Sequence, residues 1–338
     1  MLKLTMEYID LKQGLEAILE PRGNMLATKH LFEQEDIDAI NAAIACRRPL
    51  LLTGEPGTGK SQLARAAASR LGCAFVSYSV DSRTESRDLL WNFDAVGRLA
   101  DAQLGQALCD NPKQLRQELA IRNYVHPGPL WWGFNWENAK NQAKEVVTRL
   151  ADKCDAEPNE DLEPEQWDKG DPNKGCVVLI DEIDKAELSV PNGLLEALGN
   201  GCFFPEGYKN RVTVEGIPPL IIITSNEERV LPEAFLRRCL VRKLTLPTER
   251  DELIEKLVAR GQAHFDDLPE KLLRKAADML VRDRQKAQEN HFHPLPGQAS
   301  YIDLLRGIYQ QGESTEEREA LLNKVRPYAV AKGFSPAI

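Results

Sequence analysis

The chain has 338 residues, a formal net charge of −9, 42% apolar residues and 28% charged ones. That length allows one large domain or two ordinary ones with a sizeable core, and the acidic balance argues against non-specific nucleic-acid binding as the main task. No apolar run approaches the roughly 20 residues needed to span a bilayer, and residues 1–10 lack a signal-peptide core, so a cytoplasmic protein without membrane association is expected.

In chain order, the spacing of Tyr8, Leu11, Leu15, Ile18 and Leu19 predicts an N-terminal helix over 1–22, ended by Pro21, Arg22, Gly23 and Asn24. A second helix is expected over 35–45, with Ile37, Ile40 and Ile44 on one face. Leu50, Leu51, Leu52 and Thr53 read as a buried strand entering a glycine-rich loop, and the Ala-rich stretch 62–71 as the helix after it. A strand over 74–80 follows, then a mixed insertion over 81–107 holding a helix. Residues 127–134 read as an aromatic loop containing Trp131, Trp132 and Phe134. The acidic, Pro- and Asn-rich stretch 152–173 has the composition of a surface insertion and is assigned no secondary structure.

Further strands are expected over 176–180, 220–224 and 240–246, a helix over 194–198 and a hairpin over 203–214 across Gly207. After Pro247 helical patterns over 250–263, 269–288 and 300–311 replace strands. Strands alternating with helices predict an α/β fold, a doubly wound parallel sheet followed by an all-helical part. The expected division is a helix at 1–22, a nucleotide-binding domain at 23–247 with insertions near 81–107 and 124–174, and a helical lid at 248–338. Seven cysteines, with no CxxC pair and no histidine at zinc-site spacing, read as reduced, mostly buried thiols.

Three segments carry chemistry. Gly54-Glu55-Pro56-Gly57-Thr58-Gly59-Lys60-Ser61 fits GxxxxGK(S/T) between a strand and a helix. Glycines let backbone N–H groups close on phosphate oxygens, and the helix start adds its dipole. Lys60 is expected at the β- and γ-phosphates, Ser61 on Mg²⁺, and Gln62 beside the nucleotide. A chance glycine-rich turn is the plainer alternative. Val177-Val178-Leu179-Ile180-Asp181-Glu182 is an apolar strand ending in two acids. Asp181 would support Mg²⁺, and Glu182 would orient and deprotonate the attacking water; alone, the segment also reads as a strand ending in solvated charges. Leu220-Ile221-Ile222-Ile223-Thr224-Ser225-Asn226 ends in polar residues. Asn226 is the candidate for the γ-phosphate or the water, with Thr224 as the alternative, although such an Asn is commonly a turn former.

In this order the three segments resemble the Walker A, Walker B and sensor 1 elements of AAA+ ATPases. Thr224 to Glu228 and Leu231 to Cys239 resemble the MoxR-like and dynein-related branch, as do the segments 88–95 and 128–132. The resemblance spans roughly 25–310. It implies ATP rather than GTP as substrate, Mg²⁺ as cofactor, and a homo-oligomeric ring, expected to be a hexamer, with ATP at subunit interfaces. It also implies an arginine finger on the neighbour's γ-phosphate, with Arg238 as the best match and Arg237 as the alternative; both also read as plain surface charges. The sensor 2 arginine of the family is replaced by Ile302; either Arg306, one turn later, is its substitute or this sensor is absent. The function expected by resemblance is a remodelling motor or chaperone acting on a protein client, such as one with a von Willebrand factor A domain. A nucleotide-dependent switch in a defence or signalling complex and a DNA-directed motor are the competing readings, the last disfavoured by the acidic charge.

Overall fold

The computed structural model describes residues 5–10, 15–21, 27–108, 111–154, 163–166, 168 and 170–330. The chain begins with β1 (Glu16–Leu19) and β2 (Thr28–Leu31), followed by α1 (Gln34–Cys46), β3 (Leu50–Thr53), α2 (Lys60–Leu71) and β4 (Cys73–Ser79). The next stretch holds β5 (Trp91–Phe93), α3 (Ala95–Leu108), α4 (Pro112–Glu118), β6 (Val125–Pro127), α5 (Pro129–Phe134) and α6 (Trp136–Cys154). Then come β7 (Asp171–Asp181), α7 (Ser189–Gly193), α8 (Leu195–Asn200), β8 (Cys202–Phe203), β9 (Val212–Thr213), β10 (Leu220–Ser225), α9 (Glu233–Leu236) and β11 (Leu240–Lys243). Four helices close the chain: α10 (Arg250–His264), α11 (Glu270–Glu289), α12 (Gln298–Gln311) and α13 (Thr315–Ala329).

The main sheet is parallel and five-stranded, in the order β11-β3-β10-β7-β4. From β3 the chain moves out to the edge strand β4, returns through β7 and β10, and finishes beyond β3 at β11. Strand β7 is flanked on both sides, and its run from Cys176 to Ile180 is buried throughout. Continuous apolar sequence is what a strand covered on both faces requires. The register pairs Ile180 with Ile223 and Val177 with Phe75, which fixes the polar residues at the ends of β7 and β10 against one another.

The chain divides into two compact units. One comprises Met1–Asp10, Glu35–Leu51 and Ala67–Arg242. Its core joins Val178, Ile180, Ile223 and Phe235 to the aromatic helix α5. Trp131 is fully buried, donates Nε1–H to Asn138 Oδ1 at 2.8 Å, and meets Phe203 and Tyr208 edge-on. The residues read from sequence as an aromatic loop are therefore a short core helix. The alternation that marks a strand is absent there, and Pro129 at the first turn pre-sets helical φ. Gly133 is required by close approach: a Cβ would lie 2.5 Å from Val178 Cγ2.

The other unit comprises Leu11–Gln34, Leu52–Ala66 and Lys243–Ile338. Helices α10 to α13 pack around Leu257, Leu273, Leu280, Tyr301, Leu305 and Leu322, each fully buried leucine contributing about 1.5–3 kcal/mol. Sequence reading stopped at 311 and missed α13, whose start carries a capping box: Ser314 Oγ accepts Glu317 N–H at 3.2 Å, and the Glu317 carboxylate accepts Ser314 N–H at 3.2 Å.

The helix expected over 1–22 is not what the described residues form. Glu16–Leu19 is a strand paired antiparallel with β2, Glu16 opposite Leu31. Ala17 and Leu19 are buried while Glu16 and Ile18 face out, a period of two that Leu15, Ile18 and Leu19 had masked as a period near 3.6. Leu11 lies outside the described residues. In the stretch 152–173, α6 continues to Cys154 and β7 starts at Asp171; residues 155–162, 167 and 169 lie outside the described set.

Candidate active site

The phosphate loop leaves β3 and enters α2. Gly54, Gly57 and Gly59 all have positive φ. At Gly54, with φ 136°, a Cβ would lie 2.2 Å from Leu244 O, so both the backbone conformation and the space demand glycine. Lys60 is 6% exposed and turns back into the loop, donating from Nζ to Gly54 O at 2.8 Å and Glu55 O at 2.9 Å. Thr58 Oγ1 donates to Glu55 O at 3.0 Å, and Leu63 N–H to Gly59 O at 2.9 Å, which starts the helix. Pro56 is exposed and Ser61 is the second residue of α2. Gln62 Nε2 donates to Thr28 Oγ1 at 3.2 Å, fastening the first turn of α2 to β2. A loop whose ammonium already sits among its own carbonyls, at the start of a helix, fits the phosphates of a nucleotide.

The acidic site is built separately, at the ends of β7 and β10. Thr224 is 1% exposed. Its hydroxyl donates to Asp181 Oδ1 at 2.6 Å and accepts Glu182 N–H at 2.8 Å. Glu182 has left-handed backbone, φ 59° and ψ 48°, a conformation that costs a non-glycine residue about 1–3 kcal/mol and collects at functional sites. Its carboxylate accepts from Asn226 Nδ2 at 3.2 Å and is paired with Lys185; that hydrogen bond raises the Lys185 pKa above its ordinary value. Asp184 is 2% exposed, and its Oδ2 accepts the N–H groups of Asn226 at 3.0 Å and Glu228 at 2.9 Å. The turn carrying Asn226 is therefore held by a buried carboxylate one short turn after the strand. Sequence reasoning named Asp181, Glu182 and Asn226, and the structure brings Glu182 and Asn226 together. It missed Asp184 and Lys185, and it considered Thr224 only as an alternative to Asn226. The signal was a third acid and a lysine just beyond the acid pair, across Ile183. The carboxylate of Asp181 and the hydroxyl of Ser61 are hard oxygen donors of the kind Mg²⁺ takes.

The chain matches the family described as AAA domain (dynein-related subfamily) over residues 49–239. It belongs to that family and is an AAA+ ATPase. Among solved structures, the Thermotoga maritima RuvB Holliday junction branch migration motor is similar at 14% identity and a TM-score of 0.40, covering 88% of this chain and 69% of that one. A search of curated proteins found no match. Among the described residues of this ATPase, no helix is long and apolar enough to cross a membrane.

The two arginines after β10 are exposed. Arg237 reaches Glu233 Oε2 at 3.3 Å, a pair with 80% and 85% exposed side chains; Arg238 Nη1 donates to Ala234 O at 3.0 Å. Their carbonyls are tied down by Arg48, whose Nε donates to Arg238 O at 3.0 Å and whose Nη2 donates to Arg237 O. The backbone is thus fixed while the guanidinium groups remain near water. Arg242 is committed differently, to the buried carboxylate of Asp36 at 3.1 Å. Arg306 of α12 lines a cleft of about 380 Å³ with Lys29, His264, Phe265 and Tyr309. Of the cysteines, Cys73, Cys176, Cys202 and Cys239 are buried free thiols and Cys46 is exposed; burial pushes Cys73 and Cys239 up to about 12, far from a reactive thiolate.

Proposed function

We propose that this AAA+ ATPase hydrolyses ATP with Mg²⁺ at the subunit interfaces of a homo-oligomeric ring, expected to be a hexamer, and uses that cycle to remodel a protein client in the manner of MoxR-like motors. A client with a von Willebrand factor A domain is the expected partner class. The observation that carries the reading is the Glu182 carboxylate held by Asn226 Nδ2 at 3.2 Å, beside the Asp181–Thr224 bond. A carboxylate fixed in this way is suited to orient a water and accept its proton. Residues Gly54, Glu55, Pro56, Gly57, Thr58, Gly59, Lys60, Ser61 and Gln62 bind the nucleotide, Glu55 through its backbone and not its carboxylate, Ser61 and Asp181 hold Mg²⁺, and the helices of 248–338 act as a lid. Bound Mg²⁺ supplies charge stabilisation to the phosphate oxygens.

The ring assignment is supported by Arg238 and Arg237, exposed guanidinium groups on a backbone clamped by Arg48, as an arginine finger requires. Proteins of this family typically assemble into rings. Client contact is assigned to the β8–β9 hairpin, where Phe204 is 53% exposed under the Arg211 guanidinium at 5.0 Å. The test is ATPase rate against protein concentration for wild type, Glu182→Gln, Arg238→Ala and Arg237→Ala. Specific activity should rise with concentration. Glu182→Gln should lose about 10²–10³-fold in turnover while still binding ATP, and Arg238→Ala should be nearly inactive. Flat specific activity with both arginine variants unaffected would remove the shared-site ring.

A further inference from the structure

Helix α11 carries two consecutive charged residues withdrawn from water, Asp283 at 0% and Arg284 at 8% exposure. Asp283 is bound by Arg326 Nε of α13 at 2.7 Å, a brace inside the helical bundle. Arg284 has a different destination. Nη1 donates to Pro296 O at 2.9 Å, and Nη2 donates to both carboxylate oxygens of Glu55, at 2.9 and 2.7 Å. Glu55 is the second residue of the phosphate loop, and its own carbonyl accepts Lys60 Nζ and Thr58 Oγ1. Two residues on, Gly57 O accepts Ala299 N–H at 3.1 Å. The loop is thus fastened to the helical bundle at two points, one a neutral backbone bond and one a charge pair.

We propose that Arg284 is a positioning residue for nucleotide binding, cancelling the charge of Glu55 in the phosphate loop and fixing that side chain to α11. The inference rests on the assignment of 54–61 as the phosphate-binding loop. A carboxylate in such a loop carries the same sign as the phosphates and opposes their entry. A buried guanidinium donating to both carboxylate oxygens removes that opposition without leaving the loop. The Pro296 carbonyl holds the guanidinium from its other side, so its position does not depend on Glu55 alone. Arg306, which the resemblance offered as the substitute for the sensor 2 arginine, lines the cleft beside Lys29 and Tyr309. The charge account also makes a demand that a packing brace does not. Neutralising Arg284 alone should harm binding, whereas neutralising Arg284 and Glu55 together should not.

The experiment measures equilibrium binding of fluorescent ATP and ADP analogues to the full chain, at low and moderate salt. It uses wild type, Arg284→Gln, Glu55→Gln, the double variant, and Lys60→Ala as the control on the loop. Arg284→Gln should weaken the ATP analogue about tenfold and the ADP analogue less, because a diphosphate brings less charge. The loss should shrink as salt rises, and adding Glu55→Gln should restore affinity to within about threefold of wild type. Wild-type binding by Arg284→Gln, or a loss that Glu55→Gln does not restore, overturns the proposal and leaves a packing brace. Should Arg284→Gln fail to fold, the double variant and Arg284→Lys carry the test. Both should bind the ATP analogue within about threefold of wild type, and an about tenfold loss in either overturns it. Undiminished binding by Lys60→Ala would instead sink the loop assignment itself.

Discussion

The phosphate loop and the acidic strand end reach ordered geometry by opposite routes. In the loop, Lys60 bonds to carbonyls five and six residues away, and Thr58 to one three residues away. In the acidic site, the bonds from Thr224 and Asn226 to Asp181, Glu182 and Asp184 span 42 to 44 residues. The first is a property of eight contiguous residues with glycines where φ is positive. The second exists only because β7 and β10 pair in a particular register, Ile180 opposite Ile223. A slip of one residue would turn Thr224 to the other face and dissolve the network. Local motifs can therefore be read as geometry, whereas a site assembled by a sheet can be read only as a set of candidates.

The strongest way to break this contrast is Lys60→Ala. Nucleotide affinity should fall by about 10²–10³-fold, the scale of removing one preorganised charged donor, while the fold is retained; titration with a fluorescent nucleotide and circular dichroism check both. Because the loop is local, the Asn226 turn should be undisturbed.

Asp184→Ala sharpens the contrast from the other side. It leaves two partly buried backbone N–H groups, those of Asn226 and Glu228, without their acceptor, a cost of about 1 kcal/mol and at most about 3 kcal/mol. Stability should drop by that amount in denaturant titration. Turnover should fall about tenfold as Asn226 loses its hold on Glu182, with nucleotide affinity unchanged. Equal losses in binding and turnover would show that the two regions are not separable in this way.

A further effect concerns β2, next to the loop helix in the same unit. Burial pushes the His30 imidazole down to about 3, with the Arg260 guanidinium adding to it, and burial pushes His264 down to about 4, with Arg306 next. The folded state then binds fewer protons than the unfolded state below the ordinary histidine value near 6.5. Stability is complete above that value and is lost as pH falls below it, levelling off near the folded values. The slope for one such group is at most about 1.4 kcal/mol per pH unit. Denaturant midpoints between pH 7.5 and 4.5 should fall with acid, and His30→Phe should flatten the trend; an unchanged slope would assign the effect elsewhere.

Much of the fold was legible because the patterns were long or punctuated. Leu50 to Thr53 before a glycine-rich loop, Cys176 to Ile180 before two acids, and the periodic helices after Pro247 all appear where expected. The misreadings have physical causes. Glu16–Leu19 is four residues long, too short for its period to declare itself, and its partner strand begins nine residues later. Trp131 and Trp132 read as a loop because Pro127, Gly128 and Pro129 precede them. They fold as a helix because the sheet offers their rings a place to bury.

The sequence by itself determined the phosphate loop, the chain order of the five main-sheet strands, and the residue types available to bind and hydrolyse a nucleotide, since these depend on spacing and backbone conformation within short segments. Tertiary structure alone decided which of them meet. Thr224 became the bridge between Asp181 and Glu182, Asp184 the support of the Asn226 turn, and Arg284, 229 residues from Glu55 in the chain, the partner of the phosphate loop. A buried charge has to find a partner, and only the folded chain settles which one lies within reach.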